Sequence, residues 1–455
     1  MEESQKVNIN REILRLSVPA IVSNITVPLL GLCDTAISGH LGSELFLAAI
    51  AVGSMMLNVV FWLFGFLRMG TTGMTAKAFG AANDDEISQV FTRALTLGLA
   101  IGVLLIAFQR PLMNGLCGVI GAEESVTDLV DKYFSICIWE APSMLATMAI
   151  SGWFVGMQST FYPMVIAISV NVINIIASLS YVFGFGMGFE GIAYGTLTAN
   201  WAGLMVAIIA VVHFRKGRRL FCGLRDIVGG GGLASFFTVN VNLFFRSACI
   251  TAVSLGVTAA GARLGALTLA VNAVLMQFFT LFSFFMDGFA FSAEALVGKY
   301  AGAKDEKMLR RSVAHVLLWG LWMALLFSVV YLFGYSVITA LLTDEVPVRT
   351  GVAAMRVWIW LIPIVSVWAF VFDGFYVGIT ATGKMLRATL VATAAFFIIS
   401  FLHIEEGRVE VTVVSNGFLW SAFLSYLFLR GALLAAMWKR KHGEAISPKS
   451  PHSQN

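Results

Sequence analysis

Charged residues are scarce in this 455-residue chain. Asp, Glu, Lys and Arg make up 12% of it, about half the share found in soluble proteins, whereas apolar side chains make up 58%. A soluble enzyme could not hide so much apolar surface, and a disordered chain has the opposite composition. The apolar runs are continuous rather than alternating, which argues against an outer-membrane β-barrel. The composition therefore predicts an all-α integral membrane protein.

The motifs of several enzyme classes are also missing. The chain has no phosphate-binding loop of the form GxxxxGK[ST], no HExxH and no GxSxG, and its six histidines lack metal-ligand spacing. The five cysteines are odd in number and mostly inside apolar runs, so we interpret them as small hydrophobic residues. No basic cluster interleaved with aromatics indicates nucleic-acid binding. We therefore expect neither an enzyme nor a protein with a bound cofactor or metal.

Twelve apolar runs are long enough to be membrane-spanning helices, which need about 20 residues each. The polar N-terminus lacks the apolar core of a secretory signal, so the first run is expected to be retained. The runs lie at 13–38, 45–76, 87–110, 129–156, 160–185, 190–214, 232–258, 266–298, 311–335, 351–382, 386–404 and 411–438.

Lys and Arg fall mainly on one side of these runs. If the N-terminus is cytoplasmic, the cytoplasmic segments hold 21 of the 30 basic residues and the opposite connections hold six. This asymmetry is the positive-inside pattern. It predicts a multi-pass protein of the cytoplasmic (inner) membrane with both termini in the cytoplasm.

The two halves of the chain contain related motifs at one offset. Lys77-x-x-Gly80-Ala81-x-Asn83-Asp84 matches Lys299-x-x-Gly302-Ala303-x-Asp305-Glu306, and the segment 152–156 matches 374–378, both at an offset of 222. An offset of six helices gives both copies the same orientation, which predicts two six-helix lobes related by a pseudo-two-fold axis along the membrane normal. We place the N lobe at 1–214, a basic cytoplasmic linker at 215–231, the C lobe at 232–438 and a polar cytoplasmic tail at 439–455. Shared membrane composition is the alternative explanation of the matches.

A first set of polar residues lies inside the runs of the N lobe, where a charge costs about 2.5–3.5 kcal/mol to insert. Asp34 has no basic residue at its depth on the neighbouring runs, so burial favours its neutral form, and it should exchange a proton in the physiological range. A permanently neutral structural Asp is the alternative. The other candidate residues of this cavity are Asn24 and the helix-breaking Pro28 in the first run, and Asn171, Asn174 and Ser178 on one face of the fifth.

A second set lies in the C lobe. Gln277, Asp287 and Glu294 form one polar stripe on the eighth run, while Arg246 lies in the seventh and Asp373 in the tenth. A membrane Arg should be paired, and Asp287 and Asp373 are its natural partners. The set fits a transport cavity or a structural ion-pair network equally well. Arg68 and Glu140, in the second and fourth runs, fit either an interfacial or a functional position.

These residues resemble those of the multidrug and toxic compound extrusion (MATE) transporters. The resemblance rests on the acid late in the first span and on the Asp-Gly-aromatic of the tenth. The segments 66–73, 261–265, 287–290 and 294–298 are similar to the DinF branch, named for DNA-damage induction. The resemblance implies two lobes around a V-shaped cavity and export of organic cations or amphipathic compounds, driven by inward H⁺ or Na⁺.

The resemblance also assigns individual residues. The family's first-span acid falls on Asp34, its fifth-span Asn on Asn174 and its tenth-span acid on Asp373. Ser178 stands where several relatives have Asp, and Arg246 where a sodium-coupled branch has Glu. Both departures favour protons as the coupling ion, while Asp34 with Asn174 leaves Na⁺ as the alternative.

The sequence thus predicts a secondary antiporter that exchanges an organic-cation or amphipathic small molecule for H⁺. Membrane lipid is an expected partner, nucleic acid is not, and the protein is expected to be a monomer. A lipid-linked precursor flippase is one alternative, although it would need a more basic cavity. A non-pumping channel or receptor is another.

Overall fold

The computed structural model describes residues 8–39, 41, 43–120, 124–215, 221–223, 232–404 and 412–443. All regular secondary structure within these ranges is helical. The α-helices are α1 (Ile9–Gly39), α2 (Glu44–Leu63), α3 (Phe66–Gly80), α4 (Asp84–Ala107), α5 (Gln109–Ile120), α6 (Glu124–Cys137), α7 (Ala141–Gly156), α8 (Phe161–Leu179), α9 (Phe189–Phe214), α10 (Leu233–Arg263), α11 (Ala266–Gly302), α12 (Glu306–Leu342), α13 (Val346–Ala354), α14 (Arg356–Gly378), α15 (Thr382–Ile404) and α16 (Thr412–Gly443).

The described residues contain eleven helical stretches that are long and apolar enough to cross a membrane. Two of them are built from consecutive helices, α2 with α3 and α6 with α7. Helix α1 has 31 residues and, at about 1.5 Å per residue, also has the length of a span. Together they form the twelve spans predicted from the apolar runs, and the short helices α5 and α13 connect spans.

Some predicted boundaries were wrong. The ninth run, expected at 311–335, is the longer helix α12, and the tenth, expected at 351–382, is divided between α13 and α14. Helix α16 continues five residues past 438, to Gly443, and so includes the first residues of the polar tail expected at 439–455. Most of the expected linker, at 216–220 and 224–231, and the rest of the tail, at 444–455, lie outside the described residues.

The internal repeat is visible in the backbone. Positive φ angles are rare outside glycine, yet they occur at Ala82 and Lys304 (53° and 56°) and at Gln158 and Thr380 (64° and 57°). Each pair differs by the offset of 222. The helix caps that follow the first pair also match, since Asn83 accepts a hydrogen bond from the Glu86 amide and Asp305 accepts one from the Met308 amide, both at 3.0 Å.

The two lobes meet where these repeated motifs end α3 and α11. We call this end of the bundle, where α1 also begins, the proximal end and the other the distal end. A Cβ added to Gly80 would lie 1.8 Å from the Lys299 carbonyl oxygen, and one added to Gly302 would lie 1.9 Å from that of Lys77. The two contacts exchange under the repeat, so the pseudo-two-fold axis passes between them. Only glycine permits this close approach of two backbones, which we call the glycine crossing.

Helix α1 packs against both lobes. Its first turns are buried against the C lobe, where Glu12 accepts a hydrogen bond from the Tyr300 hydroxyl at 3.0 Å and lies 3.4 Å from the Lys299 ammonium. Its middle packs against α8 of the N lobe, where the Asn171 amide donates to the Thr26 carbonyl at 3.0 Å. A change of conformation in the N lobe can therefore reach the contact between the lobes at the proximal end through one helix.

The proximal contact predicts the effect of a larger residue at Gly80. Gly80→Val should keep the proximal ends of the lobes apart, because the carbonyl of Lys299 belongs to a helix backbone that cannot yield. Spin labels at Asp85 and Glu306, both exposed, should then report a longer distance by electron paramagnetic resonance.

Gly334→Val is the matched control, since a Cβ at Gly334 meets nothing within 4 Å. An unchanged distance distribution in Gly80→Val would show that the glycine crossing does not hold the lobes together.

Candidate functional site

The N lobe contains a polar cluster formed by Asp34, Glu140, Asn174, Ser178 and Asn200. Asp34 is only 7% exposed, and its Oδ1 atom has no hydrogen-bond partner among the described residues. It lies on α1 where that helix packs against α2, α8 and α9. A buried carboxylate without a partner is costly, so Asp34 requires a proton or another cation.

A break in the fourth span places Glu140 in this cluster. Helix α6 ends at Cys137, a 3₁₀ turn covers Ile138–Glu140, and α7 begins with Pro142 in its first turn. A proline is favoured in the first turn of a helix but interrupts a longer one. The Glu140 side chain is 4% exposed, and its Oε2 atom accepts a hydrogen bond from the Asn200 amide at 2.7 Å.

Helix α9 connects Glu140 with the fifth span. Asn200 donates to the backbone carbonyl of Thr196 one turn earlier, at 3.1 Å. Asn174, on α8, donates to the Thr196 hydroxyl at 3.0 Å. The Oδ1 atom of Asn174 and the hydroxyl of Ser178 remain buried without a hydrogen-bond partner in the described part of the chain. The cluster thus contains several polar atoms that a bound proton or cation could satisfy.

The cluster has acidic groups but no base. The Asp34 and Glu140 carboxyls are close enough to interact electrostatically. Neither forms an ion pair with a Lys or Arg within the described ranges. Sequence reasoning identified Asp34, left Glu140 open between an interfacial and a functional position, and missed Asn200. Glu140 and Asn200 lie in the fourth and sixth runs, outside the polar faces of the first and fifth runs from which the cavity was predicted.

The C-lobe acids are placed among guanidinium groups. Arg246 donates to Asp373 Oδ2, and Arg430 of α16 approaches the same oxygen at 3.3 Å. Arg430 also donates to the Tyr426 hydroxyl at 2.9 Å. All three charged side chains are buried. Sequence reasoning named Asp373 as a partner for Arg246 but missed Arg430, whose partner lies on another helix.

A second ion pair joins the lobes. Arg68 of α3 lies 3.0 Å from Glu294 of α11, and its guanidinium stacks 3.8 Å above the Phe291 ring. Glu294 is 1% exposed, whereas the Arg68 side chain is 21% exposed, so the carboxylate is the buried partner of this contact between lobes. Arg68 is therefore a charged residue of the lobe contact rather than of the membrane surface.

Two predicted positions need correction. Asp287, expected to pair with Arg246, has no ion-pair partner within 4 Å among the described residues, because Asp373 takes that place. Asn24, expected in the N-lobe cavity, instead donates to the Phe284 carbonyl of α11 at 3.0 Å, since that face of α1 packs on the C lobe. Pro28 is exposed and lies two residues after the Thr26 carbonyl that Asn171 binds.

The stripe on α11 becomes more buried toward the proximal end. Gln277 is exposed, Asp287 is half-buried and Glu294 is buried. The Arg68–Glu294 pair lies nearer the proximal end than Asp287, and the glycine crossing lies nearer that end than the pair. The lobes are thus in close contact at the proximal end, and the stripe is more exposed toward the distal end.

Comparisons with known proteins agree with this architecture. The MatE family model matches residues 19–182 and 242–404. The DNA damage-inducible protein F of Escherichia coli (strain K12) is 33% identical over 431 residues, which cover 95% of this chain and 92% of that protein. The probable multidrug resistance protein NorM of Thermotoga maritima is 25% identical over 338 residues, covering 70% of this chain and 68% of that protein.

A solved structure has the same fold. A transporter of the MOP superfamily from Pyrococcus furiosus superposes with a TM-score of 0.84 and covers 97% of each chain, at 16% sequence identity. The family match occupies both halves of the present chain, as the internal repeat requires.

The buried ion pairs predict a loss of stability when the anion between Arg246 and Arg430 is removed. Asp373→Asn leaves two guanidinium groups without their shared carboxylate, and breaking a buried pair costs about 3–5 kcal/mol. Thermal unfolding in detergent should show a clearly lower Tm.

Asp344→Asn is the control, because Asp344 is fully exposed beside Arg349 and an exposed pair contributes about 0–1 kcal/mol. Equal Tm values for Asp373→Asn and Asp344→Asn would contradict this role of Asp373.

Proposed function

Since the chain belongs to the MatE family of multidrug and toxic compound extrusion transporters, we propose that it is a secondary antiporter driven by protons. Proteins of this family are transporters and not enzymes, and the chain is a multi-pass membrane protein. The proposed substrates are organic cations or other amphipathic compounds, exported across the cytoplasmic membrane. The observation that carries the proposal is the buried Asp34 carboxyl, which has no basic partner among the residues that the structure describes.

The distribution of Lys and Arg supports the proposed orientation. The proximal connections contain Lys77 and, in the second copy of the repeat, Lys299, Lys304 and Lys307. With the proximal end in the cytoplasm, the positive-inside rule is satisfied. The glycine crossing then closes the cytoplasmic side, and the space lined by the α11 stripe opens outward. This is the arrangement that an exporter needs when it releases substrate and takes up protons.

Competition between a proton and the substrate provides the coupling. When Asp34 is ionised, the N-lobe polar cluster is negative and attracts a cationic substrate. When Asp34 is protonated, that attraction is lost and the substrate leaves. Coupling requires only that the proton and the substrate are not favoured in the site together.

Helix α1 can transmit the protonation state to the lobe contact. Pro19 and Pro28 lie inside the helix, and each lacks a backbone donor, which lowers the cost of bending there. Near its start, Glu12 contacts Lys299 and Tyr300, next to the carbonyl that faces Gly80. Bending of α1 on protonation would therefore change the contacts that keep the proximal end closed.

The side chains of the two lobes where a cation could bind favour protons over Na⁺. A sodium site in the C lobe would place the ion beside the guanidinium groups of Arg246 and Arg430, which repel it. In the N lobe, Ser178 supplies a neutral hydroxyl where a carboxylate would strengthen cation binding. The same guanidinium groups are occupied by Asp373, which weakens the alternative of a flippase for diphosphate lipids.

Replacement of Asp34 tests the proposal. Asp34→Asn should abolish uphill transport of a fluorescent organic cation in proteoliposomes with an imposed pH gradient, because an amide cannot exchange a proton. Binding of the cationic dye should also weaken, since the neutral amide, like the protonated carboxyl, no longer attracts the cation.

Asp128→Asn is the matched control, as Asp128 is exposed at the start of the fourth span, and it should transport like the wild type. Continued uphill transport by Asp34→Asn would contradict the assignment, and transport driven by a Na⁺ gradient at equal pH would replace protons with Na⁺.

A further inference from the structure

Glu140 is a second buried carboxyl that the mechanism above does not use. The inference drawn from it deepens the proposed antiport and rests on it. Glu140 comes from the break between α6 and α7, whereas Asp34 comes from α1, so two separate spans place acids in one cluster. Asp34 lies five residues before the distal end of α1, whereas Glu140 lies sixteen residues after the distal start of α6. Glu140 is therefore deeper in the lobe than Asp34.

The helix break aims Glu140 into the lobe. The 3₁₀ turn and Pro142 interrupt the regular helix at this residue, and the Ser143 hydroxyl donates to the Glu140 carbonyl at 2.8 Å. This places the carboxyl against α9, where the amide of Asn200 binds it at 2.7 Å. A residue needed only for packing would not require a carboxyl at 4% exposure, because burying an ionisable group costs free energy.

Within the described ranges, Glu140 forms no ion pair with a Lys or Arg. The titratable groups around it are Asp34 from α1 and Tyr133 and Cys137 from α6. Each of these is neutral or becomes negative when it ionises. Tyr133 is itself held by Ser54 of α2 at 3.1 Å, and α9 contributes the neutral amide of Asn200. Ionising both carboxyls would place two like charges in a poorly solvated space, which is unfavourable.

The same cluster contains unsatisfied polar atoms that point to an exchangeable ligand. Oδ1 of Asp34, Oδ1 of Asn174 and the Ser178 hydroxyl are all at least nine-tenths buried and have no hydrogen-bond partner in the described part of the chain. Asn174 is linked to Glu140 through Thr196 and Asn200. Glu140, Asn200, Thr196 and Asn174 thus form one hydrogen-bonded chain, and Asp34 lies on α1, which packs against α8 and α9, the two helices that carry the last three of these residues.

We propose that Glu140 is a second proton-binding carboxyl of the N lobe and that each transport cycle carries two protons, one on Asp34 and one on Glu140. On the outward-open side, each carboxylate forms one O–H bond with a proton from the external medium. After the lobes reorient, both O–H bonds break and the protons pass to the cytoplasm as the substrate binds. No electron transfer or leaving group is involved.

The proton-to-substrate ratio tests the proposal in proteoliposomes. With the membrane potential held at zero and a tenfold ethidium gradient imposed, net flux stops when the pH gradient balances the substrate gradient. Net flux stops at a pH gradient of ~0.5 unit for two protons and of ~1 unit for one. The reason is that a tenfold gradient of protons and a tenfold gradient of ethidium have the same free energy per particle, and two protons share the work on one ethidium. We expect the wild type at the lower value and Glu140→Gln at the higher one.

One variant serves as the control. Glu190→Gln changes an exposed glutamate at the start of α9 and should keep the wild-type balance. A purely structural Glu140 predicts that Glu140→Gln balances at the same pH gradient as the wild type.

A measurement without substrate covers the case in which Glu140→Gln transports poorly. Infrared difference spectra of the purified protein, taken across a pH titration, report the C=O stretch of protonated carboxyls. The wild type should show one pH-dependent component that is missing in Glu140→Gln and another that is missing in Asp34→Asn. Identical titrations of the wild type and Glu140→Gln would overturn the inference.

Failure of this inference differs from failure of the proposed function. If the wild type shows no proton-driven transport, the antiporter proposal is wrong. If the wild type couples protons but balances near ~1 pH unit, or if Glu140→Gln balances where the wild type does, then only the second proton site is wrong.

Discussion

The proposed proton-coupled antiport depends on carboxyl groups that are buried without a basic partner among the described residues. Asp34 and Glu140 lie inside the N lobe, where an unpaired negative charge is costly. Such a group is stable when it carries a proton or when a cation lies beside it. In this proposal the two occupants exclude each other, and that exclusion is the physical basis for exchanging protons against a cationic substrate.

The C lobe satisfies its buried acids in the opposite way. Asp373 is shared by Arg246 and Arg430, and Glu294 pairs with Arg68 across the lobe contact. These charges stabilise packing and are poorly suited to releasing protons, because removing one partner would leave a buried charge. In the proposed antiport, the N lobe thus carries the exchangeable charge, whereas the buried charges Asp373 and Glu294 of the C lobe are held in ion pairs. Helix α1 packs on both.

The internal repeat explains why the lobes can close at one end. Gly80 and Gly302 are equivalent positions, and each admits the backbone of the other copy. The contact is symmetric and uses backbone atoms of both lobes. The Arg68–Glu294 pair, on the distal side of this crossing, adds a charged contact between the lobes.

Much of this could be predicted from local sequence. Twelve spans, the repeat and Asp34 follow from apolar run length, a constant offset of 222 and the cost of a charge in a membrane. The partners could not be predicted in the same way. Asn24 faces α11, Asp287 has no ion-pair partner in the described part of the chain, and Arg430 reaches Asp373, because the rotation of each helix is set by its neighbours.

Glu140 shows most clearly which features follow from local sequence and which from the packing of the helices. The sequence by itself determined that a glutamate lies in the fourth apolar run, close to a proline. Only the tertiary structure decided that the helix breaks there and that Asn200 of α9 meets the carboxyl. The physical reason is that span length and charge are local properties of the chain. Which buried groups face one another depends on how all the helices pack.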